Sequence, residues 1–211
     1  MSPAAAPLPA EQFARLLEKA SASIEPRPSP ASIAGLATYL AELDRWRRGV
    51  NLTGDLSLED LVEHALESVA GDVLIPHGAR VIDVGSGGGF PAVPLAIVRP
   101  DVQMTMLEPR SRRAAFLRHI CRSLGLQGAQ VLETRVEDLE RPAWSVATTR
   151  ALGDLGRLIG EARFLERRGI LLAWTTEAES VAAQLASHFV LERVEPLSGA
   201  GRRVIAVYRK R

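Results

Sequence analysis

The sequence predicts an α/β fold: a mostly parallel, seven-stranded sheet with helices on both faces, preceded by a helical N-terminal extension. Three observations predict it. From Arg80 onward, short apolar runs alternate with longer amphipathic stretches, whereas residues 10–71 carry only a helical period. Four glycines, Gly85, Gly87, Gly88 and Gly89, directly follow the first apolar run. The chain divides accordingly into residues 1–71, a tail with a helical extension, and residues 72–211, one sheet-based core.

In the extension, Pro9 leads into AEQFARLLEKA, and a proline-rich break at Pro26–Pro30 precedes SPASIAGLATYLAELDRWRRGV. SLEDLVEHALESVAG opens with Ser57-x-x-Asp60, a weaker form of the capping box, places Leu61, Val62, Ala65, Leu66 and Val69 on one face, and stops at Gly71. In the core, RVIDVG is a strand and PAVPLAIV begins a helix, its prolines tolerated in the first turn. VQMTMLE is the second strand and SRRAAFLRHICRSLG the next helix. AQVLET, WSVATTR and GILLAWT are further strands, the latter two separated by a helix over LGRLIGEARFLERR, residues 155–168. Helix EAESVAAQLASH leads to FVLERVEPL and RRVIAVYRK, which pair as a closing hairpin.

The totals exclude several classes. At 211 residues and 46% hydrophobic the chain is one large domain, or a domain with an appendage, and can bury a sizeable core. It has no apolar run of ~18 residues, so no membrane partner is expected. MSPAAAPLPAEQ lacks the basic and apolar regions of a secretory signal and reads as a frayed tail. One cysteine, Cys121, rules out disulfide scaffolds and CxxC sites, and the four histidines show no ligand spacing. No metal is expected, and a cytoplasmic setting is. Net charge is only +1, but it is unevenly placed: five arginines and no acid lie in residues 110–122, and the last ten residues repeat that imbalance. Such clusters suit phosphate through the planar guanidinium fork, and equally suit a solvated face.

In sheets of this kind ligands sit at the carboxyl ends of the strands, so the glycines locate the site. A dinucleotide fingerprint would need a last glycine where Phe90 stands, and a P-loop would need a lysine. What matches is acid-x-Gly-x-Gly-x-Gly, as Asp83, Gly85, Gly87 and Gly89, the pattern of Rossmann-like class I S-adenosylmethionine-dependent methyltransferases. A ribose diol needs an acceptor after the second strand, and Glu108 stands 19 residues beyond Gly89. The acceptor of the methyl group is constrained by absences. The Asn/Asp-Pro-Pro-aromatic turn of adenine amino-methylation is replaced by ATTRAL, and Cys121 lies on the apolar side of its helix, unsuited to attack a pyrimidine. Without a general base, the chain suits an acceptor already nucleophilic at neutral pH, such as guanine N7, where alignment matters more than proton transfer.

From Asn51 to the C-terminus the sequence resembles the bacterial small-subunit rRNA guanine-N7 methyltransferases, the RsmG/GidB family. The resemblance rests on NLT (Asn51–Thr53), His64 with Glu67-Ser68, DVGSGGGFPAVPLAIVRP, RRAAFL (Arg112–Leu117), TRVEDL (Thr134–Leu139) and TRAL (Thr149–Leu152). It implies S-adenosylmethionine as cofactor, held by Asp83, Gly85, Gly87 and Phe90, with Glu108 on the ribose, Val136 and Glu137 flanking the adenine and Arg150 closing the site near the methyl. It implies 16S rRNA or the small subunit as partner, with Arg135 nearest the target guanine and Arg112, Arg113, Arg202 and Arg203 on phosphates. A monomer is expected. The chain departs from the family pattern at Ala92, at Trp174-Thr175-Thr176 in place of Leu-Lys-Gly, and at Arg203 in place of a histidine. Methylation of another RNA position or a small molecule, and non-catalytic binding of cofactor and rRNA, remain open alternatives.

Overall fold

The computed structural model describes residues 7–23, 27–139, 141, 143–150, 162–197 and 202–211. Among these, seven strands form one sheet in the order β3-β2-β1-β4-β5-β7-β6. The strands are β1 Arg80–Val84, β2 Gln103–Leu107, β3 Ala129–Leu132, β4 Trp144–Arg150, β5 Leu165–Thr175, β6 Phe189–Pro196 and β7 Val204–Lys210. The first five run parallel, and β7 runs antiparallel to both β5 and β6. Sheet order reverses between β1 and β4, the switch point at which such folds open a crevice.

The helices are α1 Ala10–Ala20, α2 Pro30–Trp46, α3 Leu58–Val69, α4 Ala92–Val98, α5 Ser111–Ser123 and α6 Ala178–Leu185. Ser29 caps α2, its hydroxyl accepting from the Ser32 amide at 3.1 Å, with Pro30 in the first turn. Ser57 and Asp60 close a reciprocal capping box on α3, their amides each donating to the other's side chain at 2.9 and 3.0 Å. A cap of this type is worth about 1 kcal/mol. None of the described helices is long and apolar enough to cross a membrane.

Alternation along the strands sorts the core into two layers. Val81, Met104, Met106, Val146, Leu172, Ile205 and Val207 face α1 to α5, so the N-terminal helices share one hydrophobic cluster with the sheet. Ile82, Leu107, Ala147, Leu171, Ala206 and Tyr208 face the other way, toward α6 and the short turn Val136–Asp138. Cys121 is half-buried against the first layer, and burial pushes its thiol up.

The helix expected over residues 155–168 needs correction at its end. Residues 151–161 lie outside the described residues, but β5 already begins at Leu165. Leu165 pairs with Trp144, and the register then slips so that Val146 meets Ile170. Arg168, at φ +63°, makes the bend that takes up the extra residues. Phe164 and Leu165 fill the second layer of the core. Glu166-Arg167-Arg168 reads as a solvated helix face in sequence, but a bulge exposes the same residues as readily.

Candidate active site

The glycine loop leaves β1 at Val84. The Gly85 and Ser86 amides both donate to the Leu107 carbonyl, at 3.0 and 3.1 Å, so the loop is stitched to the end of β2. Gly89 adopts φ +101°, and a Cβ there would stand 2.7 Å from Val93 Cγ2 and 3.1 Å from the Tyr39 hydroxyl. At Gly88 the constraint is close approach, since a Cβ would lie 2.9 Å from the Leu52 carbonyl. The NLT segment therefore packs its backbone directly on the loop. Tyr39 of α2 donates its hydroxyl to the Gly88 carbonyl at 2.7 Å, fully buried, and its ring meets Phe90 edge-on at 5.4 Å.

Two buried carboxylates flank this loop. Asp83 is 1% exposed; Thr148 Oγ1 donates to its Oδ1 at 2.7 Å, while its buried Oδ2 has no partner among the described residues. Burial, only partly offset by hydrogen bonds, pushes the Asp83 carboxyl up to about 7. The folded protein therefore keeps a proton that the unfolded chain releases above its ordinary pKa of 3.8. The sign follows: this contribution to stability is complete below about pH 4, declines as pH rises toward 7 and is lost above it. Urea denaturation of the unmutated chain should show stability falling relative to Asp83→Asn between pH 5 and 7, by up to about 1.4 kcal/mol per pH unit. Parallel curves would show that Asp83 is ionised throughout.

Glu108, 3% exposed, accepts from the Gly87 amide at 3.0 Å through Oε2 and from the Arg110 amide at 2.9 Å through Oε1. A carboxylate accepts up to about four hydrogen bonds, so both oxygens retain capacity for a ligand hydroxyl. The orphaned Asp83 oxygen and the amide-anchored Glu108 fit a ligand carrying an ammonium group and a ribose diol.

Of the other predicted site residues, Val136 is buried beside the loop layer and Glu137 is exposed in the same short turn. Arg113 reaches the loop, its Nη1 lying 3.7 Å from where a Gly87 Cβ would stand. Arg112, Arg135 and Arg202 are exposed. Arg150 and Arg203 come together instead around Glu67 of α3. Arg150 Nη2 donates to Glu67 Oε2 at 2.5 Å, and Arg203 Nε lies 2.8 Å from Oε1. The family resemblance implies Arg203 on RNA phosphate; in the structure its guanidinium, just before β7, lies 2.6 Å from Glu63 and 2.8 Å from Glu67 of α3.

His64, on the same helix, meets Phe90 edge-on at 5.7 Å. Burial first, then the nearby Arg150 and Arg203, lower its pKa to about 4, so it is neutral at physiological pH. Trp174 occupies the family-divergent end of β5: its indole N–H donates to the Glu67 carbonyl at 2.8 Å, and its ring fills the space that a Gly71 side chain would need. Sequence reasoning missed Tyr39, Glu63 and the pairing role of Glu67. Glu67 carried one usable signal, an acid set between the apolar-face residues Leu66 and Val69 on a helix. A cavity of about 580 Å³ lies at the opposite, amino ends of the strands, lined among others by Gln103, Thr105, Gln130 and Trp144, and takes no part in this arrangement.

A parallel sheet reversing between β1 and β4, a glycine loop at that reversal and an acid after each of the first two strands define the class: this is the S-adenosylmethionine-dependent methyltransferase fold. Solved structures of that class superpose on it, among them a SAM-dependent methyltransferase from Aquifex aeolicus (TM-score 0.59, 16% identity, 79% of this chain and 97% of that one). An O-methyltransferase from Thermotoga maritima superposes with TM-score 0.56 at 16% identity, over 80% of this chain and 71% of that one. Within that class the chain belongs to the GidB family, rRNA small subunit methyltransferase G, whose model matches residues 32–199. Ribosomal RNA small subunit methyltransferase G of Xylella fastidiosa is 36% identical over 186 residues, 85% of this chain and 87% of the relative. Its counterpart in Desulfotalea psychrophila is 33% identical, over 82% and 87%.

Proposed function

We propose that this protein transfers the methyl group of S-adenosylmethionine to N7 of a guanine in 16S rRNA of the small ribosomal subunit, acting as a cytoplasmic monomer. The observation that carries the reading is a glycine loop held between two buried carboxylates, Asp83 and Glu108, in a chain of this family. When bound, the cofactor supplies an electrophilic methyl group on a sulfonium centre. The chain's residues do the rest. Asp83 and the loop from Gly85 to Phe90 receive the amino-acid end, Glu108 accepts from the ribose hydroxyls, and Val136 and Glu137 border the adenine. Arg150 stands at the end of β4 beside the methyl side of the site. Arg135 orients the guanine by donating to its O6, leaving N7 free to attack. Arg112, Arg113 and Arg202 hold phosphates. N7 carries no proton, so no general base is required, consistent with His64, beside Phe90, being neutral and already accepting a hydrogen bond.

The test is transfer of labelled methyl groups to small subunits and to protein-free 16S rRNA lacking the modification, with products mapped by mass spectrometry. Label is expected at one guanine N7. Gly85→Trp should abolish it by filling the loop, and Arg135→Ala should reduce it by roughly tenfold to a hundredfold, the loss of one positioning contact. Cofactor binding without label on either acceptor would favour a different substrate or a non-catalytic role.

A further inference from the structure

Asp60, Glu63, His64 and Glu67 recur along α3 at helical spacing and surround the mouth arginines. Arg203 is the hub of this group. Its Nη2 lies 2.6 Å from Glu63 Oε1, its Nε 2.8 Å from Glu67 Oε1 and its Nη1 3.2 Å from His64 Nε2. A guanidinium only donates, so His64 Nε2 must present its lone pair to Arg203 and carry its proton on Nδ1. The side chain just before β7 therefore fixes the tautomer and orientation of a ring whose other neighbour, Phe90, ends the glycine loop, and adds to burial and Arg150 in keeping it neutral. The same side chain shares Glu67 with Arg150.

We propose that Arg203 is a positioning residue of the methyl-transfer site: by gripping Glu63, Glu67 and His64 together, it locks the neutral His64 ring against Phe90 and keeps Glu67 aligned on Arg150. This rests on the methyl-transfer reading above. A protonated His64 would set two donors face to face, so the ring would swing off Phe90 and one wall of the site would move. The groups that face His64 from the packed elements are Asp60, Glu63 and Glu67 on α3, Arg150 from β4 and Arg203 just before β7, with the buried, neutral phenol of Tyr39 behind Arg150. Removing Arg203 deletes one cation and leaves Glu63 and Glu67 less compensated. Both changes favour the charged histidine.

The experiment is an NMR titration of the His64 ring, together with the pH dependence of methyl transfer from pH 5.5 to 8. It compares the unmutated chain with Arg203→Met and Arg203→Lys. In the unmutated chain His64 should stay neutral throughout. In Arg203→Met its midpoint should rise by on the order of one pH unit or more. Transfer by that variant should then fall further on acidification than transfer by the unmutated chain, by about a quarter at pH 5.5 for a rise of one unit from about 4 and by more for a larger rise. Arg203→Lys keeps the charge but cannot grip three partners, so it should show the same changes at smaller size; it also carries the test should Arg203→Met fold poorly. An unshifted His64 midpoint in both variants overturns the inference, as does a shifted midpoint with parallel pH–rate profiles, which reduces Arg203 to a structural tie. Absence of transfer by the unmutated chain would count against the functional reading. The His64 titration, recorded without cofactor or RNA, decides separately whether Arg203 holds the ring.

Discussion

Gly89→Ala should destabilise the fold by roughly 3 kcal/mol and abolish cofactor binding. Two effects add. At φ +101° any side chain strains the backbone, by about 1–3 kcal/mol. The new Cβ would also stand 2.7 Å from Cγ2 of Val93, which is fully buried in the first turn of α4 and has nowhere to retreat. Overpacking of this kind costs a further 1–3 kcal/mol. Any relaxation must push the loop, and with it the Gly88 carbonyl that Tyr39 holds and the Gly87 amide that Glu108 holds. Gly54→Ala is the control: φ is +63° there, but nothing lies within 4 Å of the added Cβ. It should cost only about 1 kcal/mol and leave cofactor affinity intact. Urea denaturation and calorimetric titration of the cofactor would measure both, and equal costs at the two positions would show that strain rather than the clash dominates.

Glu67→Ala should be comparably severe, about 3 kcal/mol, or roughly 10 °C in melting temperature for a chain of this length. Glu67 is 4% exposed and stands between two guanidinium groups. Burial raises its pKa, and the two arginines work against that rise. Its removal leaves Arg150, whose side chain is 10% exposed, as an unpaired buried cation beside a second positive charge. Arg203 is more exposed and can turn to water or to Glu63, which keeps the effect toward the lower end for a broken buried pair. Glu67→Gln keeps one acceptor oxygen, enough for Arg150, but turns its NH2 donor toward Arg203, and should lose less than alanine. Thermal melts of the two variants would separate charge from hydrogen bonding; a loss under about 1 kcal/mol for Glu67→Ala would mean that the arginines find water without strain.

The strands of the core were legible because parallel strands buried on both faces read as short, continuous apolar runs. WSVATTR is β4 to the residue, and VQMTMLE overhangs β2 by one residue at each end. The glycine loop was legible because its positive φ values and close contacts admit no other residue type at Gly88 and Gly89. Local rules failed where a residue's meaning depends on a partner distant in the chain. Tyr39 precedes Gly88 by 49 residues, and in sequence it is one apolar-face residue among several on α2. Arg203 belongs by composition to a basic cluster, and only the fold, which brings the residue before β7 to α3, places it on Glu63 and Glu67. Trp174 is paired in space with the absence of a side chain at Gly71, which no spacing within the chain announces.

The edge of the sheet that carries Arg203 is attached by a single seam. Within the sheet β6 bonds only to β7, and β7 joins the rest through six residue pairs with β5, from Ile170–Arg209 to Thr175–Val204. Side chains of β7 add further ties: Tyr208 donates to the Ala178 carbonyl at 2.9 Å, Lys210 Nζ to the Ala162 and Leu165 carbonyls at 2.6 and 2.8 Å, and Arg209 to the Arg168 carbonyl at 3.1 Å. Ile205, Ala206, Val207 and Tyr208 are buried in both layers of the core, so β7 cannot leave without opening the core around it. Opening would lift Arg203 off α3, so the amides of β6 and β7 would exchange with solvent together, and in the same event the grip on His64 and Glu67 would be released. The proposed grip of Arg203 on His64 and Glu67 is thereby tied to the stability of the hydrophobic core itself.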